Sequence, residues 1–142
     1  MNRAVLLVED SDADTEATAR ALARCPAPPA LYRCADGDEA LARLRGREWP
    51  NGPPGVVLLD LNLPGTDGRE VLKQLKSDEG LRHLPVVILS TSAAGPDVAF
   101  CYRNGASGYM TKPVDVGKFS QAVRDFYAYW FGTVVLPVEW AD

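Results

Sequence analysis

The segment VVLLD, residues 56–60, decides the fold, because four consecutive apolar residues lead directly into the carboxylate of Asp60. A short apolar run of this kind is typical of a strand buried on both faces, as in parallel sheets. Two further segments end in charged side chains: residues 4–8 before Glu9 and Asp10, and residues 108–111 before Lys112. The carboxyl ends of parallel strands meet at one edge, where binding sites form. The sequence therefore predicts one pocket that binds a cation and accepts an anion.

Helix-like segments alternate with strand-like segments along the chain. Acidic residues suit the first turn of a helix, and Asp12, Asp14 and Glu16 precede an alanine-rich run. The predicted strands are residues 4–8, 31–35, 56–59, 85–89 and 108–111, and the predicted helices start near residues 12, 38, 67, 96 and 115, the last ending near 131. Five strand–helix repeats predict a doubly wound α/β fold.

Composition and charge exclude several classes of protein. A length of 142 residues suits one domain. The formal net charge of -4 argues against sequence-independent binding to nucleic acid or to an anionic membrane. No apolar stretch has the length of a membrane span. The three cysteines have no CxxC spacing, so they indicate neither a disulfide framework nor a zinc site. We expect a soluble, cytoplasmic protein.

The chemistry of the predicted pocket follows from its charges. Converging carboxylates repel one another, and a hard divalent cation removes that cost. Mg²⁺ prefers a few carboxylates together with water, which leaves room for a phosphate oxygen. Lys112 supplies a point charge suited to phosphate, and a carboxylate beside it can act as a nucleophile toward a phosphoryl group. These residue types predict phosphoryl chemistry that depends on Mg²⁺.

Four motifs in order resemble bacterial response-regulator receiver domains of the chemotaxis-regulator type: residues 8–10 (VED), 59–68 (LDLNLPGTDG), 85–90 (PVVILS) and 108–113 (GYMTKP). This resemblance implies a flavodoxin-like α/β fold with a five-stranded parallel sheet in the order 2-1-3-4-5 and five helices. It covers residues 1–131 and leaves residues 132–142 as a C-terminal extension with no separate effector domain.

The resemblance also implies a metal site and a phosphoryl acceptor. Asp60 would accept the phosphoryl group. Asp10, Asp60 and the backbone carbonyl of Asn62 would bind Mg²⁺, with Glu9 acting directly or through water. The protein would then be a signalling switch that promotes its own phosphorylation, and not an enzyme that acts on a separate substrate.

The remaining matched positions would report the phosphorylated state. Lys112 would contact the phosphoryl group, Ser90 would be the switch hydroxyl, and Tyr109 would be the aromatic residue whose rotamer follows it. Thr91 comes directly after Ser90, so the sequence leaves open which of the two hydroxyls engages the phosphoryl group. Pro113 fits a cis lysyl–prolyl bond, as in the family.

The phosphoryl donor has to be external, and a phosphohistidine of a partner protein fits better than a self-contained kinase. The chain has one histidine, His83, and no GxxxxGK loop for a nucleotide. The aromatic block FYAYWF (residues 126–131), the tail VVLP (134–137) and the switch LSTS (89–92) resemble regulators paired with phytochrome-type histidine kinases. The resemblance implies such a sensor kinase as donor and a homodimer through the last helix and the C-terminal tail.

Three alternatives stay open from the sequence. The aromatic tail would instead fold back over its own helix within one chain. A pseudo-receiver scaffold that works without phosphorylation is the second function considered, although a scaffold has no need for Mg²⁺ ligands. A phosphatase or phosphotransferase would need an acid two residues after the nucleophile, and Asn62 occupies that position.

Overall fold

The described residues, 4–46 and 48–137 of the computed structural model, form one parallel sheet with helices on both faces. The strands are β1 Ala4–Val8, β2 Leu31–Cys34, β3 Pro54–Leu59, β4 Val86–Ser90 and β5 Gly108–Thr111. The helices are α1 Asp12–Ala23, α2 Gly37–Gly46, α3 Gly68–Ser77, α4 Gly95–Arg103, α5 Val116–Tyr127 and a π-helix Ala128–Thr133. The strand order β2-β1-β3-β4-β5 confirms the predicted topology.

The strand register brings the carboxyl ends of the strands together. In the sheet, Val8 lies beside Cys34 on one side and Leu59 on the other. Ser90 at the end of β4 pairs with Thr111 at the end of β5. The residues that follow these strands therefore emerge at the same edge, as expected for parallel strands.

The core lies on both faces of the sheet because successive strand residues point in opposite directions. Leu6 and Leu59 face a cluster that includes side chains from α2 and α3. Val5 and Leu58 face the other cluster, which includes Phe119 and side chains from α1. Burial on both faces explains why β1, β3 and β4 consist of continuous apolar runs.

Polar side chains mark the starts of three helices. Ser11 accepts a hydrogen bond from the backbone N–H of Asp14, Asp67 from that of Arg69, and Asp115 from that of Lys118. Each cap satisfies a backbone donor that the first turn of a helix leaves unpaired. The caps fix the points at which the chain leaves the functional edge of the sheet and enters α1, α3 and α5.

Two predicted boundaries differ from the structure by two residues or more. β3 begins at Pro54, two residues before the expected start, because a proline that lacks an N–H is tolerated at the first position of a strand. α5 ends at Tyr127, and the chain continues as a π-helix in which the N–H of Val134 donates to the carbonyl of Tyr129. The expected α-helix to residue 131 is replaced by this wider turn.

The expected cis bond before Pro113 was also wrong. No peptide bond among the described residues is cis, so the bond between Lys112 and Pro113 is trans. Trans is the lower-energy form of most bonds that precede proline. The part of the predicted C-terminal extension from residue 138 to residue 142 lies outside the described residues.

None of the helices in the described part of the chain combines the length and the apolar character that crossing a membrane requires.

Candidate functional site

Three carboxylates meet at the edge of the sheet where β1 and β3 end. Glu9 and Asp10 follow β1, and Asp60 follows β3. One carboxylate oxygen from each residue lies within 4.8 Å of those of the other two. Glu9 and Asp60 are buried, while Asp10 is exposed. The site is therefore an acidic cluster that opens to solvent on one side.

Backbone hydrogen bonds fix the acids to the sheet. The N–H of Asp60 donates to the carbonyl of Val8 at 3.0 Å, and the N–H of Glu9 donates to the carbonyl of Cys34 at 2.9 Å. Each acid is thus bonded to the end of a neighbouring strand before its side chain enters the pocket. This attachment holds the carboxylates close together although like charges repel.

Lys112 joins the acidic cluster from the end of β5. Its backbone N–H donates to the carbonyl of Ser90 at 2.8 Å. Its Nζ lies 2.6 Å from Glu9 Oε1, 3.0 Å from Asp60 Oδ2 and 3.0 Å from Asp14 Oδ2. One ammonium therefore partly neutralises three carboxylates.

The buried ion pairs shift pKa values in opposing ways. Burial raises the pKa of Glu9, and the adjacent ammonium of Lys112 opposes that rise. Burial alone would lower the pKa of Lys112, but the carboxylates of Glu9, Asp14 and Asp60 outweigh it and raise its pKa. Lys112 is therefore held in its charged form beside the carboxyl groups of Glu9, Asp14 and Asp60.

The loop after β3 packs tightly against the acceptor position. The N–H of Asn62 donates to Asp60 Oδ1 at 3.3 Å. A Cβ atom added at Gly68 would lie 2.1 Å from the carbonyl oxygen of Asp60, so only glycine allows α3 to begin here. The first turn of α3 is thus held directly against the backbone of Asp60.

Ser90 and Thr91 differ sharply in environment. Ser90 is fully buried at the end of β4, and its Oγ accepts a hydrogen bond of 3.3 Å from the N–H of Ser92. Thr91 is exposed. Of the two hydroxyls, only that of Ser90 belongs to a residue shielded from solvent, at the end of the strand that pairs with β5.

A chain of hydrogen bonds extends from the β4–α4 loop to α3. The Tyr109 hydroxyl donates to the carbonyl of Ser92 at 2.8 Å, and Ser92 Oγ donates to Asp97 Oδ2 at 2.6 Å. Asp97 also pairs with Arg69 at 2.8 Å, and Arg69 reaches Asp67 at the start of α3. We call the contacts among Arg69, Ser92 and Asp97 the loop latch.

Residues 5–124 match the family described as the response regulator receiver domain. The chain belongs to this family. The match spans all five strands and most of the five helices, so the receiver fold and the sheet-edge site belong to the same family region.

This receiver is also similar to regulators that have been characterised individually. Response regulator Rcp1 of Synechocystis sp. is 38% identical over 137 residues, which cover 95% of this chain and 93% of Rcp1. The structure of the phosphorylated cyanobacterial phytochrome response regulator RcpA has a TM-score of 0.90 at 38% identity and covers 96% of this chain and 99% of RcpA. The Mn²⁺-bound form of Rcp1 has a TM-score of 0.89 at 37% identity and covers 96% of this chain and 99% of Rcp1.

The structure of the receiver brings most of the predicted site residues together. Glu9, Asp10, Asp60 and Lys112 share the pocket, and Ser90 lies at the adjoining strand end. Tyr109 lies within β5 beside Ile88 of β4, and its hydroxyl donates to the carbonyl of Ser92 in the β4–α4 loop. The roles of these residues stay predictions, as does the use of the Asn62 carbonyl as a ligand.

One pocket residue was not predicted as part of the site. Asp14, in the first turn of α1, contributes the third carboxylate that contacts Lys112. We expected it only to favour the start of a helix. Its position four residues after Asp10, on the helix that leaves the acidic edge, is the only sequence signal that pointed to the pocket.

Proposed function

We propose that this receiver accepts a phosphoryl group on Asp60 from a phosphohistidine of a sensor kinase. The observation that carries this proposal is the position of Asp60, whose carboxylate lies 3.0 Å from Lys112 Nζ and within the cluster formed with Glu9 and Asp10. A carboxylate needs nearby positive charge to approach an anionic phosphoryl group. Asp60 is the buried aspartate at the centre of that charge arrangement.

The transfer exchanges one bond for another. An Asp60 oxygen forms a bond to phosphorus while the bond between phosphorus and the donor's imidazole nitrogen breaks, and that nitrogen keeps the electron pair. Lys112 places a fixed positive charge beside the oxygen that reacts. Positioning and charge neutralisation supply most of the catalysis in phosphoryl transfer.

The acidic cluster fits a hard divalent cation, which we propose to be Mg²⁺. Its ligands are carboxylate oxygens, the exposed side of the cluster leaves room for water, and one ammonium does not balance the acids. Asp10, Asp60 and the Asn62 carbonyl would hold the ion, with Glu9 direct or through water. Bound there, Mg²⁺ would neutralise charge on the phosphoryl oxygens. Rcp1 has been solved with Mn²⁺ bound.

Phosphorylation would change the protein surface through Ser90 and Tyr109. Ser90 lies buried beside the end of β5, and the Tyr109 hydroxyl is bonded to the loop that follows Ser90. A shift of Ser90 toward a phosphoryl group on Asp60 would therefore move the loop to which Tyr109 is attached. Through this coupling, a change of charge at Asp60 would alter the protein surface at the β4–α4 loop.

A phytochrome-type histidine kinase is the donor that the relatives favour. RcpA is a phytochrome response regulator, and the structure of another similar regulator is described as acting in red-light signalling of R. palustris. We propose the same kind of donor here, in the cytoplasm. We propose further that residues 1–131 form the receiver and residues 132–142 a C-terminal extension, and that output comes from protein contacts and not from enzymatic turnover.

A homodimer through the last helix and the C-terminal tail remains part of the proposal. Between β5 and the end of α5 there is a surface cavity of about 510 Å³ lined by Met110, Tyr129 and Trp130. Tyr129 is 51% exposed. Trp130, Phe131 and Leu136 pack partly against the core of their own chain, so the tail also covers part of its own apolar surface. An absence of nucleic-acid and membrane partners stays a prediction from the net charge.

Intact mass after incubation with Mg²⁺ and phosphoramidate tests the acceptor. We expect one added phosphoryl group in the wild-type protein and none in Asp60→Asn or without a divalent ion. The amide matches the carboxylate in shape and has no negative oxygen with which to attack phosphorus. Uptake by Asp60→Asn at another aspartate would refute the assignment, and no uptake in any sample would favour the pseudo-receiver scaffold.

A further inference from the structure

Among the described residues, Lys112 donates hydrogen bonds to Asp14 and Asp60 and forms an ion pair with Glu9. An ammonium carries three N–H groups. Three carboxylate oxygens, from Glu9, Asp14 and Asp60, lie 2.6 to 3.0 Å from Lys112 Nζ. A phosphoryl oxygen that forms on Asp60 must therefore displace one of these partners before Lys112 can bind it.

The three partners differ in how easily they can be released. The side chains of Glu9 and Asp60 are 2% and 8% exposed, whereas that of Asp14 is 35% exposed. A buried carboxylate that loses its ion pair keeps the cost of desolvation, but an exposed carboxylate regains water. Asp14 also lies in the first turn of α1, where a negative charge is favourable. Releasing Asp14 costs the least.

We propose that Asp14 is the exchangeable partner of Lys112, holding the ammonium at rest and giving up its hydrogen bond to the phosphoryl group on Asp60. This inference rests on the proposed function and makes Asp14 a positioning residue that acts through Lys112. At rest, Asp14 connects α1 to the end of β5. Phosphorylation breaks that connection.

The change Asp14→Asn tests the exchange. A neutral amide oxygen competes more weakly for the ammonium than a carboxylate does. At saturating Mg²⁺, the phosphoramidate concentration that gives half-maximal phosphorylation should fall about fivefold, which corresponds to ~1 kcal/mol, the upper end for a partly exposed ion pair. Intact mass measures the phosphorylated fraction. Asp14→Ala, which removes the acceptor, should shift the concentration in the same direction.

Glu16→Gln is the matched control. It removes the same charge from the exposed surface of α1, where Glu16 pairs with Arg20 and not with Lys112. We expect this variant to keep the wild-type dependence on phosphoramidate. An equal shift in Glu16→Gln would mean that the charge of α1 alone is responsible, and would overturn the role of the direct contact.

Binding of beryllium fluoride, a non-covalent mimic of the phosphoryl group, separates binding from chemistry. Calorimetry at saturating Mg²⁺ should show binding to Asp14→Asn that is tighter by about the same fivefold. Suppose that the wild type is phosphorylated normally, but that Asp14→Asn shows an unchanged or weaker response to both phosphoramidate and beryllium fluoride. That result overturns this inference and leaves the proposed function standing. Failure of the wild-type protein to bind either probe overturns the proposed function, and this inference with it.

Discussion

Ser90 and Thr91 offer adjacent hydroxyls in opposite environments, since Ser90 is fully buried and Thr91 is exposed. We predict that Ser90→Ala still takes up a phosphoryl group but loses the surface change that follows, because the hydroxyl bonded to the Ser92 N–H is gone. Amide chemical-shift changes at Ser92 and Tyr109 on adding beryllium fluoride measure that response. They should shrink strongly in Ser90→Ala.

Thr91→Ala provides the comparison for Ser90→Ala. It deletes a hydroxyl of similar chemistry from the neighbouring position, which points to solvent. We expect the wild-type chemical-shift response. If Thr91→Ala instead loses the chemical-shift response to beryllium fluoride and Ser90→Ala keeps it, the switch hydroxyl is that of Thr91.

The positions of the central acids could be predicted from the sequence, but the place of Asp14 could not. Glu9, Asp10 and Asp60 each follow an apolar strand, and parallel strands bring their ends together. Asp14 lies on a helix, so its side-chain direction depends on how α1 packs against the sheet and against α5. Helical periodicity gives no direct information about that packing.

At the scale of single elements, the loop latch connects α3 to the loop before α4. Hydrogen bonding from Ser92 and then from Arg69 lowers the pKa of Asp97. A carboxyl group with a lowered pKa stabilises the fold above its unfolded-state pKa, and this contribution is lost as the pH falls through the folded-state pKa. The latch should therefore contribute at neutral pH and lose its contribution below the ordinary pKa of 3.8.

The variant Asp97→Asn tests the pH dependence of the latch. We expect it to lower the free energy of unfolding at pH 7, with a difference from wild type that shrinks at pH 3. Urea titrations at the two pH values measure it. Glu79→Gln removes an acid from an exposed position away from the latch and serves as control. A destabilisation of Asp97→Asn that is equal at both pH values would show that the ionised carboxylate is not what secures the loop.

Helix starts could be predicted better than the end of the last helix. Asp67 and Asp115 are residue types that cap helices, and the structure has them as caps. No comparable sequence signal indicates the π-helix after Tyr127. It differs from a continued α-helix only in one wider turn, which the hydrogen bond from the N–H of Val134 to the carbonyl of Tyr129 closes. Aromatic packing, with the Tyr127 and Phe131 rings stacked 5.7 Å apart, accompanies this turn.

At the scale of the whole molecule, the aromatic surface at the end of α5 predicts self-association. We expect the wild-type protein to elute as a dimer by size-exclusion chromatography with light scattering, and Tyr129→Asp to be shifted to monomer. The substitution places a charge on a side chain that is 51% exposed beside an apolar cavity. Burying an unpaired charge in an interface is costly.

Ala42→Asp is the control for the dimer. It adds the same charge to an exposed position on α2, a helix that does not line the cavity beside α5. We expect it to leave the dimer intact. A wild-type protein that is monomeric at high concentration would favour the alternative in which the tail covers only its own chain.

The three carboxylates around the Lys112 ammonium affect how the pocket responds to free anions. A lysine with open donors would attract dissolved phosphate and other anions. With Glu9, Asp14 and Asp60 around Nζ, a passing anion has to compete with three carboxylates for the ammonium. A phosphoryl group attached covalently to Asp60, as we propose, would be held beside Lys112 and would compete more effectively. On the proposed function, the pocket would therefore respond to covalent phosphorylation by a kinase and not to free anions in solution.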